Sequence, residues 1–457
     1  PHLVPILQEA RARGAQLVLI DPVYHKTAIL CETHLQPRPG SDFALAMAVA
    51  RILFEQGWVD PAARNYCDHL DEFRDLAESH SVAEWCREAD VLPDSALDLA
   101  RRLGKDKPAA ILVGWGMGRR INGAGMVRAL DALCAISGNI GIPGGGVSFY
   151  FKRRGAFDTS FIQGSKVAPR TVCEPLFGPE LLRLNDPPIR AVWVTAGNPV
   201  AMLPESETTA QALRSREFVV VVDSFFTDTA RLAHLVLPTT TLLEADDLLG
   251  SYGHHWIGVA NPVVPPPEGV KSDLEIIQAL ARRVGLGEVM ASDALGSHGI
   301  TLEALEAGAI RNPIPPGILF ADRKFATATG RVNLMTKSPP SEVSSPYYPL
   351  FLMSLSTEKA QSSQWAVPQQ GYAVVTVHPE AANGIGDGEL CSLQSGISSM
   401  TVRLHYDVKQ RRDVALIPKG GHWREGRCAN ALLRARTTDL GEGGALYDER
   451  VRIVPLK

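Results

Sequence analysis

The chain reads as an α/β protein with mostly parallel sheets and an antiparallel β-barrel at its C-terminal end, and three observations predict this. Short β-branched runs recur through the first 290 residues, each ending in glycine or small polar residues. Between Ala109 and Gly146 an apolar run, a glycine turn and an amphipathic segment follow one another as strand, turn and helix. From Leu350 onward, six short apolar runs alternate with Gly, Asp, Pro and Ser, as the strands of a Greek-key barrel do.

Composition narrows the class of ligand. The 457 residues are 45% hydrophobic and 21% charged, enough for about three compact units. A net charge of -4 argues against a nucleic-acid stripe or a basic membrane face, and no apolar run approaches the roughly 18 residues of a spanning helix. Small molecules are the expected ligands. The seven cysteines (31, 67, 86, 134, 173, 391 and 428) contain no C-x-x-C pair, so neither a zinc ribbon nor an iron–sulfur cradle is visible. Reduced, structural thiols are expected.

The first elements are LVPILQEARARG, an amphipathic helix, and Leu17 to Ile20, a strand. In a parallel sheet that strand would lack the strands that normally precede it, so the chain reads as beginning inside a domain, with other polypeptide supplying them. Asp21 and Pro22 fall at the carboxyl end of this strand, where α/β sheets collect ligands; an Asp-Pro turn accounts for them equally well. PRPGSD, Pro37 to Asp42, opens a helix through Phe43, Met47, Ile52 and Phe54. Ser41 or Asp42 would cap that helix, while a carboxylate there would also accept the paired N–H donors of a guanine edge. Asp60 to Lys107 is helical and polar, with two short helices separated by Leu92 and Pro93, and carries no chemistry.

The central stretch, AAILVGWGMGRRINGAGMVRALDALCAISGNIGIPGGG, places Gly114, Gly116 and Gly118 between a strand and a helix of about Gly123 to Ile136. Backbone N–H groups and the helix N-terminus make it a candidate diphosphate cradle. A nicotinamide-type fold predicts G-x-G-x-x-G and an acidic residue about 20 positions on. This chain offers G-x-G-x-G, and the nearest later acid, Asp131, lies inside the helix, so a nicotinamide cofactor fits poorly. Ala191 to Val194 before TAGNPV, Phe218 to Val222 before DSFFTDTA, and His234 to Leu237 before PTTTLLEADD repeat the pattern. Several such strand ends form a row of loops suited to a nucleotide, with Asn198 offering an amide and Asp223 a carboxylate for a ribose hydroxyl. A turn aspartate opening the next helix is the alternative for Asp223. Pro262 to Phe325 reads as a connection with one good helix, Asp273 to Val284. The barrel strands are Leu350–Leu355, Ala373–Val377, Leu390–Gln394, Met400–His405, Val414–Ile417 and Val451–Val454.

Taken in order, GAQLVLIDP, PRPGSD, the GWGMG to PGGG stretch, TAGNPV, VVVDSFFTDTARLAHLVLPTTTLLE, HPEAANGIGDGELCSLQSG and Asn430-Ala431-Leu432 resemble the dimethyl sulfoxide reductase family of molybdopterin oxidoreductases over nearly the whole chain. GWGMG to PGGG is most similar to the branch of formate dehydrogenases and thiosulfate or polysulfide reductases. The resemblance implies two doubly wound, Rossmann-like domains and the barrel, divided at 1–107, 108–290, a connection over 291–345, and 346–457. It implies a bis(molybdopterin guanine dinucleotide) cofactor with molybdenum or tungsten, two-electron redox on a small-molecule substrate, and anaerobic respiratory electron transport. Asp21, Pro22, Gly40 and Asp42 would hold one guanosine. Gly114, Gly116, Met117, Arg119, Asn198, Pro199, Asp223, Ser224 and Thr229 would line the other nucleotide. Ser354, Thr357, Lys359 and Gln361, in the segment Ser354 to Ser363, and Asn430 correspond to pterin-contacting loops.

Departures from the family pattern shape the expectation as well. The family's N-terminal iron–sulfur domain and the segment carrying the metal ligand have no counterpart here, so this chain is expected to contribute no metal ligand and no catalytic residue is assigned. Either a separate chain or an N-terminal segment would supply both, and an iron–sulfur electron-transfer subunit is a candidate partner. His254 and His255 fall near where the family approaches substrate, with an exposed loop pair as the plainer reading. The alternative is a cofactor-poor scaffold or electron-complex subunit, for which the retained nucleotide-facing side chains would have no chemical use. The expected compartment is the cytoplasm, or the periplasm if an export signal precedes Pro1.

Overall fold

A computed structural model describes residues 3–148, 157–158, 168–250, 254–287, 295, 299–313, 317–341, 345–365 and 370–456. Parts of the stretches expected as connections (288–290, 314–316 and 342–344), and Ser251–Gly253 of the loop before His254, lie outside the described residues. The chain forms two compact units, Pro1–Phe149 with Glu174–Leu176 and Ile318–Lys457, and Tyr150–Cys173 with Phe177–Gly317.

The first unit opens with α1 (Leu3–Ala12), β1 (Val18–Ile20), β2 (Thr33–Leu35) and α2 (Asp42–Glu55). It continues with α3 (Ala63–Tyr66), β3 (Cys67–Asp68), α4 (Leu70–Glu78), α5 (Val82–Ala89), α6 (Pro93–Gly104), β4 (Ala110–Leu112), α7 (Gly123–Ile136) and β5 (Gly146–Ser148). The α2 sequence is apolar nearly all round, and residues Phe43 to Ala50, Ile52 and Leu53 are buried, so it forms the axis on which α4, α5, α6 and α7 pack. Alanines at 44, 46, 48 and 50 let those helices approach closely. The outer helices are amphipathic and bury one face each; Ser81 and Glu84 form a capping box at the start of α5, and Pro93 occupies the first turn of α6. Among these elements β1 pairs with β2 and β4 with β5, both in parallel.

The second unit holds α8 (Phe177–Arg183), β6 (Ala191–Thr195), α9 (Pro199–Met202), α10 (Ser206–Arg214), β7 (Phe218–Asp223) and β8 (Leu235–Pro238). After these come β9 (Asp247–Gly250), β10 (Trp256–Ala260), α11 (Asp273–Arg283), α12 (Leu302–Ala307) and β11 (Ile310–Arg311). Strands β6, β7 and β8 form a parallel sheet with β7 in the middle. Its valines 219–222 are buried on both faces, as a central parallel strand requires.

The chain then returns to the first unit with β12 (Val332–Asn333), which pairs with β3. The barrel follows: β13 (Leu350–Leu355), β16 (Ala373–Val377), β17 (Leu390–Ser395), β18 (Ser399–Tyr406), β19 (Val414–Pro418) and β20 (Arg450–Pro455), with the small hairpin β14 (Ala360–Gln361) and β15 (Gln364–Trp365) after β13. The six long strands close in the order β13-β19-β16-β18-β17-β20. Burial alternates with period two along β17 and β18, so one face fills the interior with residues such as Leu393, Val402 and Leu404. Each such fully buried aliphatic contributes about 1.5–3 kcal/mol. One expectation is corrected here: the barrel is mixed rather than antiparallel. The pairs β13·β19 and β16·β18 run parallel, because each joins strands separated by long crossover connections rather than hairpins.

Candidate functional site

In the first unit, the loops after β1 and β2, the glycine turn after β4 and the segments flanking β19 and β20 bring polar groups together. Asp21 follows β1; its Oδ1 accepts from the Val23 N–H at 2.8 Å, and its Oδ2 lies 3.4 Å from His25 Nε2. The hydrogen bond to Asp21 raises the His25 pKa. Much of the Asp21 carboxylate is therefore used locally, and Pro22 carries the chain through this turn.

Asp42 is different. It sits in the first turn of α2, and Ser41 does not cap that helix; the Ser41 hydroxyl donates to Arg38 O at 2.7 Å instead. Burial pushes the Asp42 carboxyl above its ordinary range, Arg120 and its own backbone N–H oppose that, and Asp21 adds to it. Among the described residues no other side chain hydrogen-bonds this carboxylate. Gly40, at φ +85°, brings its backbone over Arg120, where a Cβ would stand 3.5 Å from a guanidinium nitrogen. The Gly40 carbonyl accepts from Asn122 Nδ2 at 3.1 Å, while Asn122 Oδ1 is buried without a donor.

The glycine turn, Gly114 to a 3-10 segment Met117–Arg119, runs under Tyr447: a Cβ on Gly116 would stand 3.8 Å from that ring, and Tyr447 N–H donates to Arg119 O at 3.0 Å. Arg120 is buried, paired with Asp448 at 3.2 Å and donating to Tyr447 O at 2.8 Å. Asp448 also accepts from the Ile121 N–H at 2.7 Å, fixing the turn on the barrel's last connection. Burial raises the Tyr447 hydroxyl, against the pull of Arg119 and Arg120. Burial and then the Arg119 charge push the Lys419 ammonium down.

The diphosphate expectation at the α7 N-terminus does not hold as stated. Asp439 occupies that position, accepting from the N–H groups of Ala124 and Gly125 at 2.8 and 2.9 Å. A protein carboxylate already answers the helix's positive end, so an anion near this turn would meet Arg119 and Lys419 rather than the helix terminus.

Of the barrel residues, Ser354 is buried in β13 and Asn430 in a short 3-10 turn, Ala429–Leu432. Thr357, Lys359 and Gln361 lie at the β14–β15 hairpin, where Thr357 Oγ1 accepts from Lys359 N–H at 3.2 Å and Gln361 pairs with Gln364. The same hairpin is tied to the loop after β1 by an exposed Lys26–Glu358 ion pair.

In the second unit the strand ends satisfy one another. Asn198 and Pro199 start α9; Asn198 Oδ1 accepts the Thr229 hydroxyl at 2.7 Å, and Thr229 Oγ1 accepts the Val200 N–H at 3.1 Å. Asp223 closes an Asx turn on Phe225 at 3.0 Å, with its carboxyl raised by burial. The Ser224 hydroxyl donates to Thr240 O at 3.0 Å. Asp273, at the start of α11, accepts from Thr195 at 2.6 Å and Thr239 at 3.0 Å, joining the ends of β6 and β8. His254 and His255 are exposed, and His254 Nδ1 accepts from the Trp256 N–H at 3.1 Å.

Sequence reasoning missed Asn122, Lys419, Tyr447, Asp439 and Asp448, whose roles depend on contacts more than 80 residues apart in the chain. Among the described residues no three His, Cys, Asp or Glu side chains converge as a metal would need, and no helix is long and apolar enough to cross a membrane. The seven cysteines are thiols, with no disulfide among the described residues.

The arrangement in the first unit suits one chemistry. Asn122 Oδ1 is a buried acceptor without a donor, Asp42 is a carboxylate without a side-chain donor, and Arg119 lies close enough to Lys419 to help lower its pKa. A ligand with N–H donors and anionic oxygens, as a guanine nucleotide has, complements all four. Fold and site thus define an α/β and barrel protein with a polar candidate cofactor site in its first unit. The molybdopterin oxidoreductase family model matches residues 2–283, and the chain belongs to that family of molybdopterin-dependent oxidoreductases. It is 29% identical to the probable oxidoreductase YyaE of Bacillus subtilis, over 98% of this chain and 73% of the relative. It is 25% identical to the dimethyl sulfoxide/trimethylamine N-oxide reductase of Rhodobacter capsulatus, over 91% of this chain, and spans 62% of that protein. Acetylene hydratase from Pelobacter acetylenicus shares the fold, with a TM-score of 0.80 at 18% identity over 98% of this chain and 75% of that one.

Proposed function

We propose that this chain holds a bis(molybdopterin guanine dinucleotide) cofactor carrying molybdenum or tungsten and serves a catalytic subunit in two-electron redox on a small-molecule substrate. The observation that carries the reading is the buried, unpartnered Asn122 Oδ1 and the Asp42 carboxylate, which no side chain hydrogen-bonds, in one unit with the Arg119 and Lys419 cations. The cofactor supplies the redox centre; the protein supplies binding, orientation and electrostatics. Asp42 would accept paired guanine N–H groups, Asn122 a further donor, and Arg119 and Lys419 would neutralise diphosphate oxygens. The charge of Arg120, held by Asp448, favours the ionised form of Asp42 against the burial that opposes it. In the second unit, Asp223 is the acceptor for a ribose hydroxyl, while Asn198 and Thr229 hold the loop that presents it. The barrel residues Ser354, Thr357, Lys359, Gln361 and Asn430 are assigned to the pterins. An iron–sulfur electron-transfer subunit is the partner of such a subunit.

Metal analysis of the full-length protein expressed with cofactor supply, together with guanine nucleotide released by acid, tests this. Molybdenum or tungsten with about two guanine nucleotides per metal is the expected result. Absence of both overturns it.

A further inference from the structure

The loop after β1 carries a histidine whose two ring nitrogens have different partners. His25 precedes a 3-10 segment, Lys26–Leu30, and caps it: its backbone is extended and its Nδ1 accepts from the Thr27 N–H at 3.3 Å. A ring nitrogen accepts only when it carries no proton, so the proton of the neutral imidazole sits on Nε2. That atom lies 3.4 Å from Asp21 Oδ2, while Asp21 Oδ1 is held by the Val23 N–H. The two contacts fix the tautomer of the ring and aim it at the carboxylate that the family resemblance joins with Asp42 at one guanosine.

A second proton changes both contacts at once. It enters at Nδ1 and turns the cap into a donor facing a donor, so the Thr27 N–H loses its acceptor. At Nε2 a neutral donor becomes a charged one, whose hydrogen bond to a carboxylate is roughly twice as strong. Asp21 gains a cation and the 3-10 segment loses its cap. The surroundings favour this proton: the hydrogen bond to Asp21 raises the His25 pKa above its ordinary 6.5, burial opposes the rise, and the charge of Asp21 adds to it. The other titratable or charged groups on the elements around the ring are His34 on β2, Lys26 in its own segment, Glu358 at the hairpin, held by Lys26, and Lys409 over the Tyr24 ring. Among the described residues, Asp21 alone acts on His25. Asp21 in turn acts on Asp42 and Tyr447, so a charge placed beside it is felt across the candidate site.

We propose that His25 is a positioning residue that acts through Asp21 and makes nucleotide binding depend on pH. Neutral, it caps its segment and leaves Oδ2 able to accept a ligand's N–H; doubly protonated, it claims that oxygen and gives up Thr27. The effect on binding rests on the reading of this unit as a guanine-nucleotide site. Protonation of His25 and donation by a ligand to Asp21 then oppose one another, so the ligand lowers the His25 pKa and binds more tightly as pH rises through it.

The test is a nitrogen-15 NMR titration of the cofactor-free full chain, labelled at histidine and threonine, between about pH 5 and 8, with and without GMP, in wild type and His25→Gln. The expected result is a neutral His25 with its proton on Nε2, a Thr27 amide that moves with the His25 midpoint, and a midpoint lowered by GMP. GMP should bind about three- to tenfold more weakly at the acid end, the equivalent of a shift of about 0.5–1 pKa unit, and His25→Gln should lose that dependence. A neutral ring protonated on Nδ1, a Thr27 amide indifferent to the His25 midpoint, a midpoint unmoved by bound GMP, or a pH dependence that survives in His25→Gln overturns the proposal. GMP that fails to bind wild type at either end, while Thr27 still follows His25, overturns instead the guanine-nucleotide reading and with it the effect on binding.

Discussion

Replacing Asp42 by Asn separates a carboxylate kept for a ligand from one that serves the helix. As a first-turn acid, Asp42 gains about 0.3–1 kcal/mol from the helix dipole, which Asn forfeits. As a half-buried charge with no side-chain donor, it costs about 1–2 kcal/mol, which Asn relieves. The difference favours the cofactor-free variant by about 1 kcal/mol near neutral pH. The sign with pH follows from the raised carboxyl. Wild-type stability is fully present below the unfolded-state value, 3.8, and is lost as pH rises through the higher folded value. The advantage of Asp42→Asn therefore develops above pH 3.8 and vanishes below it. Cofactor retention moves the other way: losing two charge-assisted bonds at about 1.5–3 kcal/mol each, partly offset by the remaining amide oxygen, weakens binding by about 2–4 kcal/mol, or roughly 30- to 1000-fold. Thermal midpoints of cofactor-free protein from pH 3 to 8, with acid-released guanine nucleotide from loaded protein, read both arms. A variant less stable than wild type at pH 7 with undiminished nucleotide refutes the reasoning and leaves Asp42 as a helix-terminal charge.

Two further substitutions test the frame around it. Asp448→Leu strands the buried Arg120 guanidinium and should cost about 3–5 kcal/mol, whereas Arg120→Met with Asp448→Leu should recover most of that, as read by a urea double-mutant cycle. A single-variant loss under about 1 kcal/mol contradicts the pairing. Asp439→Ala uncaps α7 and should cost about 1–2 kcal/mol, with faster exchange at Ala124 and Gly125; unchanged exchange at those amides contradicts the cap.

Periodicity made most elements legible in the sequence. The helix read at Gly123 to Ile136 has those bounds, and the six barrel runs coincide with the six strands of the closed barrel, because each depends on residues close in the chain. Strand direction in the barrel was not legible, since pairing β16 with β18 past β17 depends on closure and not on local pattern. The site divides the same way. Asp21 and the glycine turn could be read from strand ends and Asp42 from the helix that PRPGSD opens, while Gly40 came only with the family resemblance. Lys419 and Tyr447 could not, because Lys-Gly-Gly and Leu-Tyr-Asp carry no spacing that announces a partner 300 residues away. The same distance hid Asp439, which turned an apparent anion-binding helix end into a satisfied one.

Similar strand ends thus do different work in the two units. Gly-Asn-Pro after β6 and the Asp after β7 look, in sequence, like ligand groups of the same kind as Asp42. In the fold, Asn198 is committed to Thr229, Thr229 to the Val200 amide, and Asp273 to two threonines. Truncating Asn198 or Thr229 removes partners from buried groups, so its first effect falls on stability. Asp42 differs in its partners: its carboxyl is raised by burial, as that of Asp223 is, but Asp223 closes a turn on Phe225 whereas Asp42 lies beside a guanidinium committed to another acid. Energy left unspent in the folded protein is available to binding, and a site is better located by groups the fold leaves unsatisfied than by the residue types it displays.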